Sequence, residues 1–262
     1  DLLVKNCLLL KNRDPQDILI KGGVIREIAS KITADNIPII DADFHFVTPP
    51  FVDSHFHMDA TLSYGLPRVN KSGTLLEGIK LWGELKPNLT ADAIKERALK
   101  FCKWAIARGT LAIRSHVDVS GQNLVGVEAL LDVRETMKDF IDIQLVAFPQ
   151  DGLLRANCLD NLNTALDMGV DVVGGIPHFE RTMEEGHESI RILCEIAEKR
   201  GLLTDLHCDE TDDPMSRHVE KLALETTRLG LKGRVAGSHL TSMHSIDNYY
   251  FTKLISLLVE AD

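Results

Sequence analysis

Apolar and polar positions follow two different rhythms along this chain. In residues 1–48 the runs LLVKNCLLL, DILI, VIREIA and PII are short and strand-like, and KNRDPQD and KGG between them carry turn chemistry. The pattern predicts a small β-sandwich-like element ahead of the main domain. Pro49 and Pro50 then punctuate the chain. From Phe51 onward, apolar strand-like runs alternate with longer helical patterns. Strands are predicted over 51–57, 111–119, 141–149, 171–178, 202–210 and 234–241.

Three of the helical stretches have readable ends. One starts at Thr90, a cap residue, and runs through KERALKFCKWAIAR to Gly109. HESIRILCEIAEKR is closed by Gly201, and SRHVEKLALETTRL by Gly230. Strand and helix in repeated alternation imply a parallel sheet with helices on its faces. The strands read as nearly continuous apolar runs, as strands buried on both faces should. The predicted fold class is therefore α/β, a TIM-type eight-stranded β/α barrel formed by residues 49–262. Six βα units can be counted, and the chain stops at Asp262 inside the helix after the sixth. The expectation is thus a fragment lacking the last barrel strands, with an incomplete site. An open doubly wound sheet is the alternative, but no GxGxxG or GxxxxGK[ST] follows any strand.

The polar residues favour the barrel. His55, His57, His116, Gln150, His178, His207 and His239 all fall at or just past the C-terminal ends of predicted strands. That edge is where barrels build active sites.

Composition narrows the chemistry. The formal net charge is −10 with no run of Lys and Arg, which argues against nucleic-acid polymers as partners. A small neutral or weakly charged substrate fits better. The five cysteines are scattered, without a CxxC pair, so neither a disulfide framework nor a Cys-rich zinc module is expected. No stretch approaches the ~20 apolar residues of a membrane span. The first residues lack a signal-peptide pattern, and the chain starts at Asp rather than Met. These features lead to the expectation of a cytoplasmic, reduced protein that is a trimmed or partial chain.

His55 and His57 stand two apart in a strand, so both imidazoles point to the same side and form a chelating pair. His207, at the head of HCDE, adds a third imidazole from a distant strand. Three protein ligands with an open position suit activation of water. Glu210, three residues on, can shuttle a proton; read blandly, it is a solvated acid in DETDD. His239, in GSHLTS, can act as proton donor or electrostatic partner, with Ser238 and Thr241 placed to orient it; otherwise it is a buried, hydrogen-bonded histidine. Gln150 offers both a donor and an acceptor to an amide-like ring edge, or is only a turn residue before AspGly. His116 and His178 are weaker candidates for pocket lining. His45, His187, His218 and His244 lack the strand-end context and read as ordinary residues, and Trp82 and Trp104 read as packing.

The segments PPFVDSHFHMDA, SGTLLEGI, RSHVDVS, LVAFPQDG, VDVVGGIPHFE, LHCDETDD and GSHLTSMHS together resemble bacterial cytosine deaminase and its close relatives in the amidohydrolase superfamily. The likeness runs from Pro49 to the end of the chain. It implies a β/α barrel holding one divalent metal ion, Fe(II) or Zn(II), with His55, His57 and His207 as metal ligands. It further implies that Gln150 holds the pyrimidine edge and that the segment at Leu75 supplies backbone contacts to the ring. Glu210 would move a proton to the ring nitrogen, and His239 would polarise the attacking water or the developing charge. The implied reaction is hydrolytic deamination of a free nucleobase, cytosine to uracil with release of ammonia, in a homo-oligomer. Two departures stand out. The family's Asp ligand after the last barrel strand lies beyond this sequence. The stretch LSYGLPRVNKSG, with Tyr64 and Arg68, does not match a cytosine-specific pattern, so 5-methylcytosine, isoguanine or a creatinine-like ring stay open as substrates. A two-metal cyclic amidohydrolase is a further alternative, but IPHFE ends the fourth predicted strand without the bridging Lys such sites use. A catalytically incomplete truncated chain is the non-enzyme alternative.

Overall fold

A computed structural model describes all 262 residues. The chain divides into two compact units, Asp1–Phe51 and Val52–Asp262.

The first unit is one four-stranded sheet rather than two facing layers. Strands β1 (Leu2–Leu9), β2 (Asn12–Lys21), β3 (Val24–Ala29) and β4 (Ile39–Asp41) lie in the order β3-β2-β1-β4. β1 and β2 pair antiparallel, as do β2 and β3, while β4 runs parallel to β1. KNRDPQD, expected as a turn, is mostly strand, and the reversal happens in the two residues between Leu9 and Asn12. Leu3, Leu19 and Ile32 form a small core. Buried Asp17 accepts from the backbone N–H groups of Asn6 (3.1 Å) and Ile32 (3.0 Å), which satisfies its carboxylate.

The second unit carries a six-stranded sheet whose strands run in sequence order, β5 (Phe51–Phe56), β6 (Thr110–Asp118), β7 (Asp142–Phe148), β8 (Val172–Gly175), β9 (Leu203–Cys208) and β10 (Val235–His239). The pairings from β6 through β10 are parallel. Every connection contains a helix: α1 (Leu75–Leu85) and α2 (Ala91–Ala107) after β5, α3 (Val125–Met137), α4 (Cys158–Asp167), α5 (Met183–Arg200) and α6 (His218–Arg228) in turn, then α7 (Asn248–Ala261) after β10. This is an α/β fold with a curled, half-barrel parallel sheet. No helix is long and apolar enough to cross a membrane.

Local chemistry sets the helix ends. Thr90 Oγ1 accepts from Ala93 N (3.2 Å) at the start of α2, as its sequence position suggests. Gly201 closes α5 in the left-handed region at φ 70°. α5 begins earlier than its predicted start at His187, because Thr182 caps it by accepting from Glu185 N. The core between sheet and helices is built from residues such as Leu145, Ala147, Leu162, Leu193 and Leu206, all fully buried. Gly174 and Gly175 are required by that packing: a Cβ on Gly174 would lie 2.5 Å from the Ala147 carbonyl oxygen, and one on Gly175 2.4 Å from Leu193 Cδ1.

Candidate active site

The C-terminal ends of β5, β6, β9 and β10 bring five histidines together. His55 lies in β5 and His57 just past it; His116 lies in β6, His207 in β9, and His239 ends β10. Ligand-type nitrogens of His55, His57, His116 and His207 all lie within 4.8 Å of one another. His57 Nε2 and His207 Nε2 are 3.0 Å apart. Ring centroids of His55 lie 4.4 Å from His116, 4.6 Å from His207 and 4.7 Å from His239. The predicted trio of His55, His57 and His207 is therefore brought to one point, and His116, weighed only as a lining residue, joins it as a fourth imidazole.

These rings sit where protonation is costly. Burial, and then the neighbouring imidazoles, pull His57 down to about 4 and His116 down to about 2. His207 is pushed down further by the same causes. His55 is lowered by burial and by His239. Phe148, fully buried, stacks on His207 with ring centroids 4.1 Å apart and helps to keep this part of the site dry. Several buried ring nitrogens have no hydrogen-bond partner: His55 Nδ1, both nitrogens of His116 and His207 Nδ1. Neutral, desolvated imidazoles without a thiolate make a donor set that suits a divalent metal cation. Unsatisfied buried polar atoms are costly without such a partner.

A cavity of about 690 Å³ opens above the cluster. His55, His57 and His207 face it, together with Gln150, Leu75, Glu210 and His239. Fully buried His116 does not line it. Glu210 Oε1 lies 3.6 Å from His239 Nδ1, and His207, Glu210 and His239 offer polar atoms within 4.8 Å of one another. Burial raises the Glu210 carboxyl, opposed by the charge of His239. Gln150 sits on the turn after β7, where its N–H bonds to Phe148 O (2.9 Å). Leu75 is the first residue of α1. All seven residues expected at the site thus border one cavity.

Several expectations need correction. Ser238 and Thr241 do not orient His239. Ser238 Oγ donates to Asp205 Oδ1 (2.8 Å), and Thr241 Oγ1 donates to the carbonyls of Asp209 and Thr211. Strand alternation sends Ser238 to the side opposite His239. His218 is not an ordinary residue: it is buried, borders the cavity, and its Nδ1 lies 2.8 Å from Asp209 Oδ1. Trp82 also lines the cavity, and its indole N–H donates to Asp118 Oδ2 (2.7 Å). His178, expected as a lining residue, does border the cavity, and burial lowers it to about 4. Arg68, which matches no cytosine-specific pattern in the sequence, donates to Glu77 and Glu84, and Tyr64 is solvent-exposed. No motif marks His218 or Trp82, and His116 carries only its strand-end position in RSHVDVS, because the direction of each side chain depends on the fold around it.

The chain is similar to several characterised proteins. It is 34% identical over 252 residues to the N-isopropylammelide isopropyl amidohydrolase of Pseudomonas sp. (strain ADP), covering 91% of this chain and 60% of that protein. It is 28% identical over 250 residues to the pterin deaminase of Rhizobium rhizogenes, covering 94% of this chain and 56% of that one. A solved structure of 5-methylcytosine deaminase from Klebsiella pneumoniae, liganded with phosphonocytosine, superposes with a TM-score of 0.94 at 39% identity, over 99% of this chain and 64% of that chain. The chain thus spans about three fifths of the length of the relatives it matches. Residues 38–262 match the amidohydrolase family, and the chain belongs to that family.

Proposed function

We propose that this chain carries the metal-binding and proton-transfer half of a hydrolytic deaminase acting on a free amino-bearing pyrimidine, with cytosine and its 5-methyl derivative as first choices. The observation that carries this reading is the convergence of His55, His57 and His207 on one point, with the Glu210–His239 pair beside them in the same cavity. In this reading the six-stranded arc belongs to an eight-stranded β/α barrel in the full protein, which is cytoplasmic and homo-oligomeric.

His55, His57 and His207 would hold one Fe(II) or Zn(II) ion, since these three both converge and face the cavity. His116 backs them from the buried side. A divalent cation held there supplies positive charge that makes water a stronger acid and stabilises negative charge developing on the ring. Gln150 gives the ring edge one donor and one acceptor, which suits the paired carbonyl and N–H of a pyrimidine. Backbone groups at Leu75 add contacts to the ring. Glu210 takes a proton from the incoming water and delivers it to the ring nitrogen next to the amino-bearing carbon. His239, beside Glu210, places its imidazole against the charge that develops at that carbon. Water adds its oxygen to the carbon; the proton left on that oxygen passes to the amino group, the C–N bond breaks as the carbonyl forms, and ammonia leaves.

The test is ammonia release by the full-length, metal-loaded protein from a panel of cytosine, 5-methylcytosine, isoguanine and substituted amino-triazines. Release from a pyrimidine, lost on chelation and restored by Fe(II) or Zn(II), supports the proposal. No ammonia from any ring in the panel sinks it.

A further inference from the structure

We infer that Asp209, a residue outside the cavity, is the positioning residue of this site: its carboxylate locks the turn that presents Glu210 to His239. The inference rests on the deaminase reading above and adds a residue to it.

Asp209 lies between His207 and Glu210, directly past the end of β9. It is completely buried and takes no part in lining the cavity. A buried carboxylate is costly unless its oxygens are satisfied. Here they are. Oδ1 accepts from Ser216 Oγ (2.7 Å), the His218 backbone N–H (3.0 Å) and His218 Nδ1 (2.8 Å). Oδ2 accepts from the Val219 N–H (2.9 Å). Burial alone would raise this carboxyl, but these donors outweigh it and hold it down at about 2.

The bonds do two structural jobs. The N-cap position of α6, Arg217, makes no side-chain cap, so Asp209 caps that helix from the strand end. Both ends of the loop 209–218 are thereby pinned to one carboxylate. The Asp209 backbone carbonyl also accepts from Ser242 N (3.1 Å) and Thr241 Oγ1 (3.2 Å), in the short helical turn that follows β10. That turn is entered through His239 and Leu240 at φ 73° and 51°, and Asp209 itself sits at φ 52°. Three non-glycine residues in the left-handed region are strained and persist only when their surroundings fix them. Asp209 thus fixes both backbone segments from which Glu210 and His239 project.

The experiment uses the full-length, metal-loaded protein and the substitution Asp209→Asn. The amide keeps an acceptor for one set of donors but sets an N–H against the Val219 N–H. Misplacing Glu210 by a fraction of an ångström is expected to lower kcat roughly 10- to 100-fold. KM should stay within about twofold and metal content unchanged, the signature of an interaction made only in the transition state. The pH profile of kcat should shift. Adding Glu210→Gln to D209N should cost little more than Glu210→Gln alone, because both act through one carboxylate. Additive effects, or loss of metal with the drop in activity, overturn the inference. So does wild-type kcat in D209N. If wild-type protein releases no ammonia, the functional reading falls, and a crystal structure of D209N still decides this one: a Glu210–His239 separation unchanged from 3.6 Å overturns it. Should D209N not fold, Ser216→Ala removes a single donor to Oδ1, and the same profile with a smaller kcat loss is expected; unchanged kcat and pH profile in S216A overturn the inference.

Discussion

His57 Nε2 lies 3.0 Å from His207 Nε2, although 150 residues separate them in the chain. Two neutral imidazoles at this distance can share one proton, or they can turn two lone pairs toward a common cation. Burial holds both rings well below the usual imidazole range, which keeps the lone pairs free.

Cation binding is therefore expected to be saturable at one ion per chain and to stabilise the fold. A ligand that binds only the native state at about 100 times its Kd adds about 2.7 kcal/mol. Thermal melts with and without Zn(II), paired with metal analysis, should show this gain for wild type and its loss in His57→Asn and His207→Asn. Two ions per chain, or an undiminished gain in both variants, would count against the assignment.

Glu210 faces the cavity and His239 together. Replacing it with Gln keeps the size and removes the carboxylate proposed to carry the proton. Steady-state assays of Glu210→Gln should show kcat reduced by roughly 10²- to 10⁴-fold, while metal content matches wild type. Near-wild-type kcat would move the proton transfer to another residue.

Gly174 has no room for a methyl group, because the Ala147 carbonyl oxygen lies 2.5 Å from where its Cβ would be. That neighbour is backbone in the adjacent strand and cannot rotate away. Gly174→Ala should cost about 1–3 kcal/mol in urea unfolding. A neutral result would mean that β7 and β8 can separate without penalty.

Glu180 is buried beside the Gln150 turn, and its Oε1 accepts from Leu154 N (3.1 Å). Burial raises its carboxyl above the ordinary value, against the backbone hydrogen bonds of Leu154 and Leu153 and the charge of Arg155, which lower it. The native state therefore holds this proton to higher pH than the unfolded chain does. Stability is lost as pH rises from the unfolded pKa, about 4.3, through the raised native one, and is level above it. Glu180→Gln removes this dependence. Its stability relative to wild type should improve between pH 4 and pH 7, as read by denaturant melts at each pH. A difference that is flat with pH would show that Glu180 titrates alike in both states.

Much of this protein is legible in its residues. The change of rhythm at Phe51, the Thr90 cap and the Gly201 stop depend on neighbours a few positions away, so sequence is enough to read them. The same holds for HxH, since strand alternation alone puts His55 and His57 on one side. His116 reads in the sequence only as a weak lining candidate, because its role depends on register. β6 pairs His116 with Val146 of β7, and β9 sets His207 opposite Ser238 of β10. A shift of one residue in either pairing would turn the side chain to the other face. The places of His218 and Asp209 are illegible in the sequence for a related reason. Their contact joins a strand end to a helix start across an irregular loop with no periodic signal.

Sequence by itself determined the strand–helix alternation, the helix caps and the placement of His55 and His57 on one side of a strand, because these follow from periodicity and local hydrogen bonding. Only the tertiary structure decided which distant imidazoles share a point, that Ser238 turns away from His239, and that the buried Asp209 carboxylate ties the end of β9 to the start of α6. Those outcomes depend on sheet curvature, strand register and desolvation, which arise only when segments far apart in the chain are packed together.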